Sequence, residues 1–181
     1  MGVGERGLQV ATVTLRPGVP MGFVTGVPFV AALAVAQAFG GRVSWPHAVT
    51  SAEGEPLVLV RARAGYDDEG VFVTCDLEPA GEVDLPSEPA ALERVVCDAV
   101  DEWAAAVSAG AAAGPLAPVL GDYFDALLGM GEPVEVVRGG RVIGRGELAG
   151  VDVWGRATVR LEGGAQELEI APEQAELRAA R

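Results

Sequence analysis

The sequence has no lysine: all 13 basic residues are arginines. Together with abundant Gly, Ala and Val this is the composition of a GC-rich genome, but the chemical consequence holds whatever its cause. No ammonium group is present to clamp a phosphate as a point charge or to form a Schiff base. Histidine is nearly absent too, with His47 alone, and the two cysteines, Cys75 and Cys97, have no C-x-x-C spacing. A zinc site from this set is poorly supplied, and no metal site is expected. Both cysteines read as ordinary buried thiols, which fits a reducing cytoplasm. Positive charge is scarce, with 26 acids against 13 bases and a formal net charge of -13. That balance argues against nucleic acid and against an anionic membrane surface as partners. No signal peptide opens the chain. Its longest apolar stretch, Val27 to Phe39, is too short to span a bilayer, contains Gln37, and reads as a buried core helix.

What is present is enough apolar material for a core. Half of the 181 residues are hydrophobic, and a chain of this size buries roughly 70% of its unfolded surface. Leu8 to Leu15 reads as a strand ended by Arg16-Pro17, and Gly18 to Gly26 as a loop. The Ala-rich helix Val27–Phe39 is closed by Gly40-Gly41. Arg42 to Trp45 is a short strand halted by Pro46. Leu57–Ala64 and Val71–Leu77 form a hairpin across GYDDEG. Ser87 is a candidate N-cap before Pro89. Leu92, Val95, Val96, Ala99, Val100, Trp103 and Val107 then recur at helical spacing, and a second long helix is expected from Leu116 to Leu128. Past Gly131, short strands meet at Gly139-Gly140, Trp154-Gly155 and Gly163-Gly164, the texture of a small barrel. The expected class is α+β: a mixed sheet packed on helices over residues 1–130, then a barrel over 131–181.

Several strings resemble the biotin protein ligases: TLRP at Thr14 to Pro17, VPFVAALAVAQAFGG, SWPHAV at Ser44 to Val49, EGEPLVLVRA, VFVTCDL, and the barrel start GEPVEVV. The resemblance covers nearly all of this chain but only the later part of the family. It implies a biotin/lipoate ligase-like core, here incomplete, followed by an SH3-like barrel. By this reading the N-terminal portion, with a Gly-Arg-rich loop that closes over biotin and the adenylate, is missing, and MGVGERGLQ is its stub.

The departures carry the functional expectation. The family motif Lys-Trp-Pro-Asn-Asp reads Ser44, Trp45, Pro46, His47, Ala48. The Gly-Lys-Lys positions read Gly54, Glu55, Pro56, and Gly-Ile-Gly-Ile-Asn reads Thr74, Cys75, Asp76, Leu77, Glu78. An ATP-dependent biotin–[acetyl-CoA-carboxylase] ligase brings a carboxylate and a triphosphate together. It needs cations aimed at both, with Mg²⁺ neutralising the rest. Acids at Glu55 and Glu78 would repel those anions. The sequence therefore predicts a non-catalytic relative with no catalytic residue. The family's ligand-binding positions are Ser44, Trp45, Pro46, His47, Gly54 and Glu55, and biotin and ATP/Mg enter only if family binding is retained. Two alternatives stay open: half of a split ligase, or a sensor using a remodelled pocket around Trp45.

Single residues have plainer readings as well. His47 is a ligand or base, or, more simply, a structural loop residue, because no cysteine, acid or serine stands at motif spacing. Trp45 is a wall for a ring-shaped ligand or a core aromatic. Arg138 and Arg141 flank the first barrel turn and either face a nucleotide or, more simply, sit at a solvated hairpin tip. Asp67-Asp68-Glu69 resembles an acidic metal loop but lacks calcium-ligand spacing and reads as a solvated turn. Sheet strands lost from the N-terminal side would leave an apolar edge, so a homodimer or a partner subunit is expected.

Overall fold

The computed structural model describes residues 10–110 and 112–180. Ten strands and three α-helices form two five-stranded sheets, ordered β1-β5-β4-β3-β2 and β10-β6-β7-β8-β9. The α+β class holds. Every strand pairing within the two sheets is antiparallel, so the first sheet is not mixed in strand direction.

β1 (Ala11–Leu15) alternates buried and exposed residues, placing Ala11, Val13 and Leu15 on the helix side. Leu8 and Gln9, also expected in this strand, lie outside the described residues. The expected loop before the first helix holds a 3-10 helix, Met21–Gly26, which runs directly into α1 (Val27–Phe39). Together they make one stretch, Met21–Phe39, apolar and long enough by composition to cross a membrane, yet 67% of it is buried inside the fold. Ten of the thirteen α1 residues are buried, as expected of a helix that is apolar all round. Gly40 ends α1 in the left-handed conformation, at φ 68°.

β2 (Arg42–Ser44) and β3 (Ala48–Thr50) form a hairpin around Trp45-Pro46-His47, with Val43 opposite Val49. The sequence reading missed β3 because three residues carry too little periodicity. β4 (Pro56–Asp67) and β5 (Gly70–Pro79) form the expected long hairpin, closed at Asp67 and Gly70.

Two helix expectations change. α2 (Pro89–Ala109) is capped by Glu88, not Ser87, and no side chain bonds the cap. Pro89 at the first helical position forces the residue before it into extended backbone, and Glu88 has ψ 144°. The second helix, α3, covers only Leu120–Ala126. Pro118 blocks helix ahead of it. At the other end Leu127 turns extended, and the Leu128 N–H donates to the Val43 carbonyl at 2.8 Å, so the chain leaves the helix to run beside β2.

The second sheet holds β6 (Pro133–Arg138), β7 (Arg141–Val151), β8 (Ala157–Leu161), β9 (Glu167–Ile170) and β10 (Glu176–Ala179). Gly139 and Gly140, at φ 56° and 77°, give the first hairpin a turn only glycine adopts readily at both positions. Val136, Leu148, Val159 and Ile170 from this sheet belong to the same buried cluster as Val35, Leu77, Val100 and Trp103. The two halves therefore share one continuous core.

Candidate functional site

The turn Trp45-Pro46-His47 is held from three sides. The Trp45 indole N–H donates to the Gly155 carbonyl at 3.0 Å, reaching across to the second sheet. The Tyr123 hydroxyl donates to the Pro46 carbonyl at 2.7 Å. The His47 ring meets the Phe29 ring edge-on at 5.4 Å, and Phe29 in turn meets Tyr123 at 5.6 Å. The Trp45–Pro46 peptide is cis. Trp45 is 5% exposed, so it is chiefly a core aromatic whose polar edge is satisfied.

The loop it docks on is equally fixed. Asp152 Oδ1 accepts the backbone N–H groups of Trp154 and Arg156, each at 2.9 Å. Its Oδ2 accepts the Arg156 guanidinium at 2.6 Å, and Glu169 lies 3.4 Å from the same guanidinium. Gly155 has φ 81°, and a β-carbon there would stand 2.5 Å from the Phe29 ring. Glycine is thus required twice over, by conformation and by space.

Two clefts open where the halves meet. One, of about 800 Å³, is lined by Val24, Pro28, Phe29, His47, Ala62, Trp154, Arg156 and Glu173 among others. The other, of about 760 Å³, is lined by Arg42, Ser44, Trp45, Gly54, Leu127, Leu128 and residues of β6 and β10. The six positions marked by the sequence therefore do not converge. Ser44, Trp45 and Gly54 face one cleft and His47 the other. Pro46 contributes its carbonyl to Tyr123. Glu55 is exposed, in a turn organised by Ser51, whose hydroxyl accepts the Glu53 and Glu55 N–H groups at 3.2 Å each.

Among the described residues the His47 cleft offers no free positive charge. Burial lowers the His47 pKa, against a smaller opposing pull from the backbone at Val60 and at His47 itself, so the imidazole is uncharged at pH 7. Arg156 is the one arginine lining this cleft among the described residues, and two carboxylates neutralise it.

On the opposite sheet face, Thr74, Asp76 and Glu78 point outward while Cys75 and Leu77 are buried. Alternate glycines there would leave the strand's face bare to a ligand. Here that face carries cross-strand ties: Arg61 to Glu78 at 2.9 Å, Arg63 to Asp76 at 3.0 Å, and Thr12 to Asp76 at 2.9 Å. The acidic loop is likewise internally paired, with Arg16 holding Asp67 at 2.6 Å and Glu69 at 3.2 Å. Arg138 donates to the Gln174 carbonyl at 3.0 Å, and Arg141 is exposed. Among the described residues no cluster of His, Cys, Asp or Glu is arranged to hold a metal ion. Burial pushes the Cys75 thiol up to about 12, so it is no nucleophile.

Phe29, Tyr123, Asp152, Trp154 and Arg156 were not singled out from the sequence. The Asp-x-x-Gly spacing does signal the loop at 152–155. Nothing local says that it packs on a turn more than a hundred residues earlier.

An antiparallel α+β core joined to a small antiparallel β-domain, with clefts along the seam, is the arrangement that the two sheets and three helices define. It is the fold of the biotin protein ligases. The apo biotin protein ligase from Aquifex aeolicus superposes with a TM-score of 0.66 at 18% identity, over 94% of this chain and 82% of that one. The same organism's enzyme in complex with biotin and ATP gives 0.64 at 16% identity, over 94% and 78%. Its arginine-to-glycine variant in complex with biotin gives 0.68 at 16% identity, over 99% and 84%. No protein-family model matches the chain, and no curated protein matches it. At such identities the likeness is one of fold.

Proposed function

We propose that this chain is a non-catalytic binding protein on the biotin ligase fold, using the His47 cleft for a small, uncharged, largely apolar ligand. The observation that carries the reading is the charge at the resembling positions. Ser44, a neutral His47 and Glu55 stand where the family motifs have lysine, asparagine and lysine, and the cleft's arginine is already neutralised. Losing one preorganised donor costs about 10²–10³ in rate. Losing several together leaves no adenylation step to measure. The cleft itself is of ligand size and mostly apolar, with His47 and Thr25 to orient an occupant. The outer edge of β1, which no strand among the described residues pairs, is proposed to take a second copy or a partner protein. Both cysteines are free thiols, which suits a reducing compartment such as the cytoplasm.

The test combines calorimetry with a transfer assay. Biotin, its uncharged amide and a biotinyl-adenylate analogue are titrated into the folded chain, and a biotin acceptor domain is incubated with chain, biotin and ATP. Heat on titration of the uncharged amide, no heat with the adenylate analogue and no transfer support the reading. Transfer at a ligase-like rate would sink it. Transfer that appears only when a second protein is added would point instead to a split enzyme.

A further inference from the structure

The second cleft has its own chemistry. Its apolar walls are the Trp45 ring, Phe124, Leu127, Leu128, Val134 and Leu148. Arg42 and Arg178 also line it; Arg178 is exposed and tied to Glu176, whereas Arg42 is the only arginine among the described residues that is not exposed. Most others are paired with carboxylates, as Arg16, Arg61, Arg63, Arg145, Arg156, Arg160 and Arg178 are. Arg42 has no carboxylate partner among the described residues. Its Nη2 donates to the Leu127 carbonyl at 2.9 Å and its Nε to the Ala126 carbonyl at 3.4 Å. A guanidinium has five N–H donors. Both hydrogens on Nη1 and one on Nη2 are left over, and they form the fork that a carboxylate accepts end-on. The two carbonyl bonds fix the side chain in advance, so little rotamer freedom remains to be lost on binding.

We infer that this cleft binds a small amphipathic monocarboxylate, its carboxylate on Arg42 and its apolar body between Trp45 and Leu128. An apolar molecule without charge would leave the half-buried guanidinium fork desolvated and unmatched. A phosphate or dicarboxylate would meet Glu132, which is exposed on the same cleft. A single carboxylate seated inward on Arg42 avoids both penalties.

Calorimetry on the full chain with 4-phenylbutyrate and with its neutral amide tests this. The acid should bind roughly tenfold or more tightly than the amide, the usual worth of a charge-assisted pair. Arg42→Gln should remove that preference, bringing acid and amide to the same affinity. Because Arg42 also holds the end of α3, its thermal melt is checked alongside. Two further variants leave Arg42 in place. Leu128→Trp fills the cleft and should abolish binding of both compounds, and Glu132→Gln should tighten the acid alone. Equal affinity of acid and amide in the parent protein would overturn the inference. So would acid binding that survives Leu128→Trp, or no heat with the acid at millimolar concentration.

Discussion

His47 is the only histidine in the sequence, and its environment gives it one physical consequence at pH values a cell reaches. Its folded-state pKa lies below the ordinary 6.5, because burial against Phe29 disfavours the charged ring. Between the two values the unfolded chain carries the extra proton. Stability should therefore be flat above about pH 6.5 and fall as the pH drops through it, at up to about 1.4 kcal/mol per pH unit, until the folded pKa is reached. Thermal melts between pH 7.5 and 5 should show this slope, and His47→Phe should flatten it. A slope unchanged in the variant would mean that other groups carry the acid sensitivity. Trp45 teaches a related lesson. From the sequence it is either a ligand wall or a core residue; the fold makes it a buried indole bonded to Gly155, with one side facing a cleft.

Among the elements, the 152–156 loop ties the second sheet to the turn beside the His47 cleft. Asp152 closes it on itself, the Val153 carbonyl accepts the Leu116 N–H at 2.9 Å, and Gly155 lies flat against Phe29. Gly155→Ala should force the loop off Phe29 and break the Trp45 bond. The expected cost is about 1–3 kcal/mol of stability, together with a change in Trp fluorescence as Trp45 and Trp154 are rearranged. A variant with the parent melting temperature would show that the seam is looser than drawn. The helices show where periodicity succeeds and fails. The i, i+3, i+4 pattern gave α2: Leu92, Val96, Val100, Trp103 and Val107 are buried, and Val95 and Ala99, at the edge of the stripe, are half-buried. The same pattern overran α3, because apolar spacing carries no information about Pro118 or about Leu127 pairing beside Val43.

For the whole molecule, the outer edge of β1 is the end of the first sheet among the described residues. The apolar side chains expected there are already covered, with Ala11, Val13 and Leu15 at 2%, 1% and 5% exposure and α2 packed over them. Val10, 44% exposed, is the apolar residue left at that end. The remaining attraction is the strand's backbone, which favours pairing with another strand. Light scattering during size exclusion should find a dimer that dissociates on dilution. A monomer across the whole concentration range would count against the pairing. The formal charge of -13 opposes self-association, so added salt should favour the dimer.

The sequence by itself determined the α+β class, α1 to the residue, the β4–β5 hairpin, α2, and the start of the second sheet. Each is written in local patterns: an apolar helix stopped by glycine, alternating strands across a tight turn, an amphipathic repeat, glycine-rich corners. It also determined the shortage of cations, since no fold can supply a lysine that the chain lacks. Only the tertiary structure decided how the marked residues are shared out. The side chains on either side of a tight turn point in different directions, and packing across the seam placed Ser44 and Trp45 on one cleft and His47 on the other. It also brought Gly155, Arg156 and Tyr123 to that turn, contacts 77 and 110 residues apart for its two anchoring bonds. Long-range contacts of that kind arise from burying one continuous core, and no local pattern encodes them.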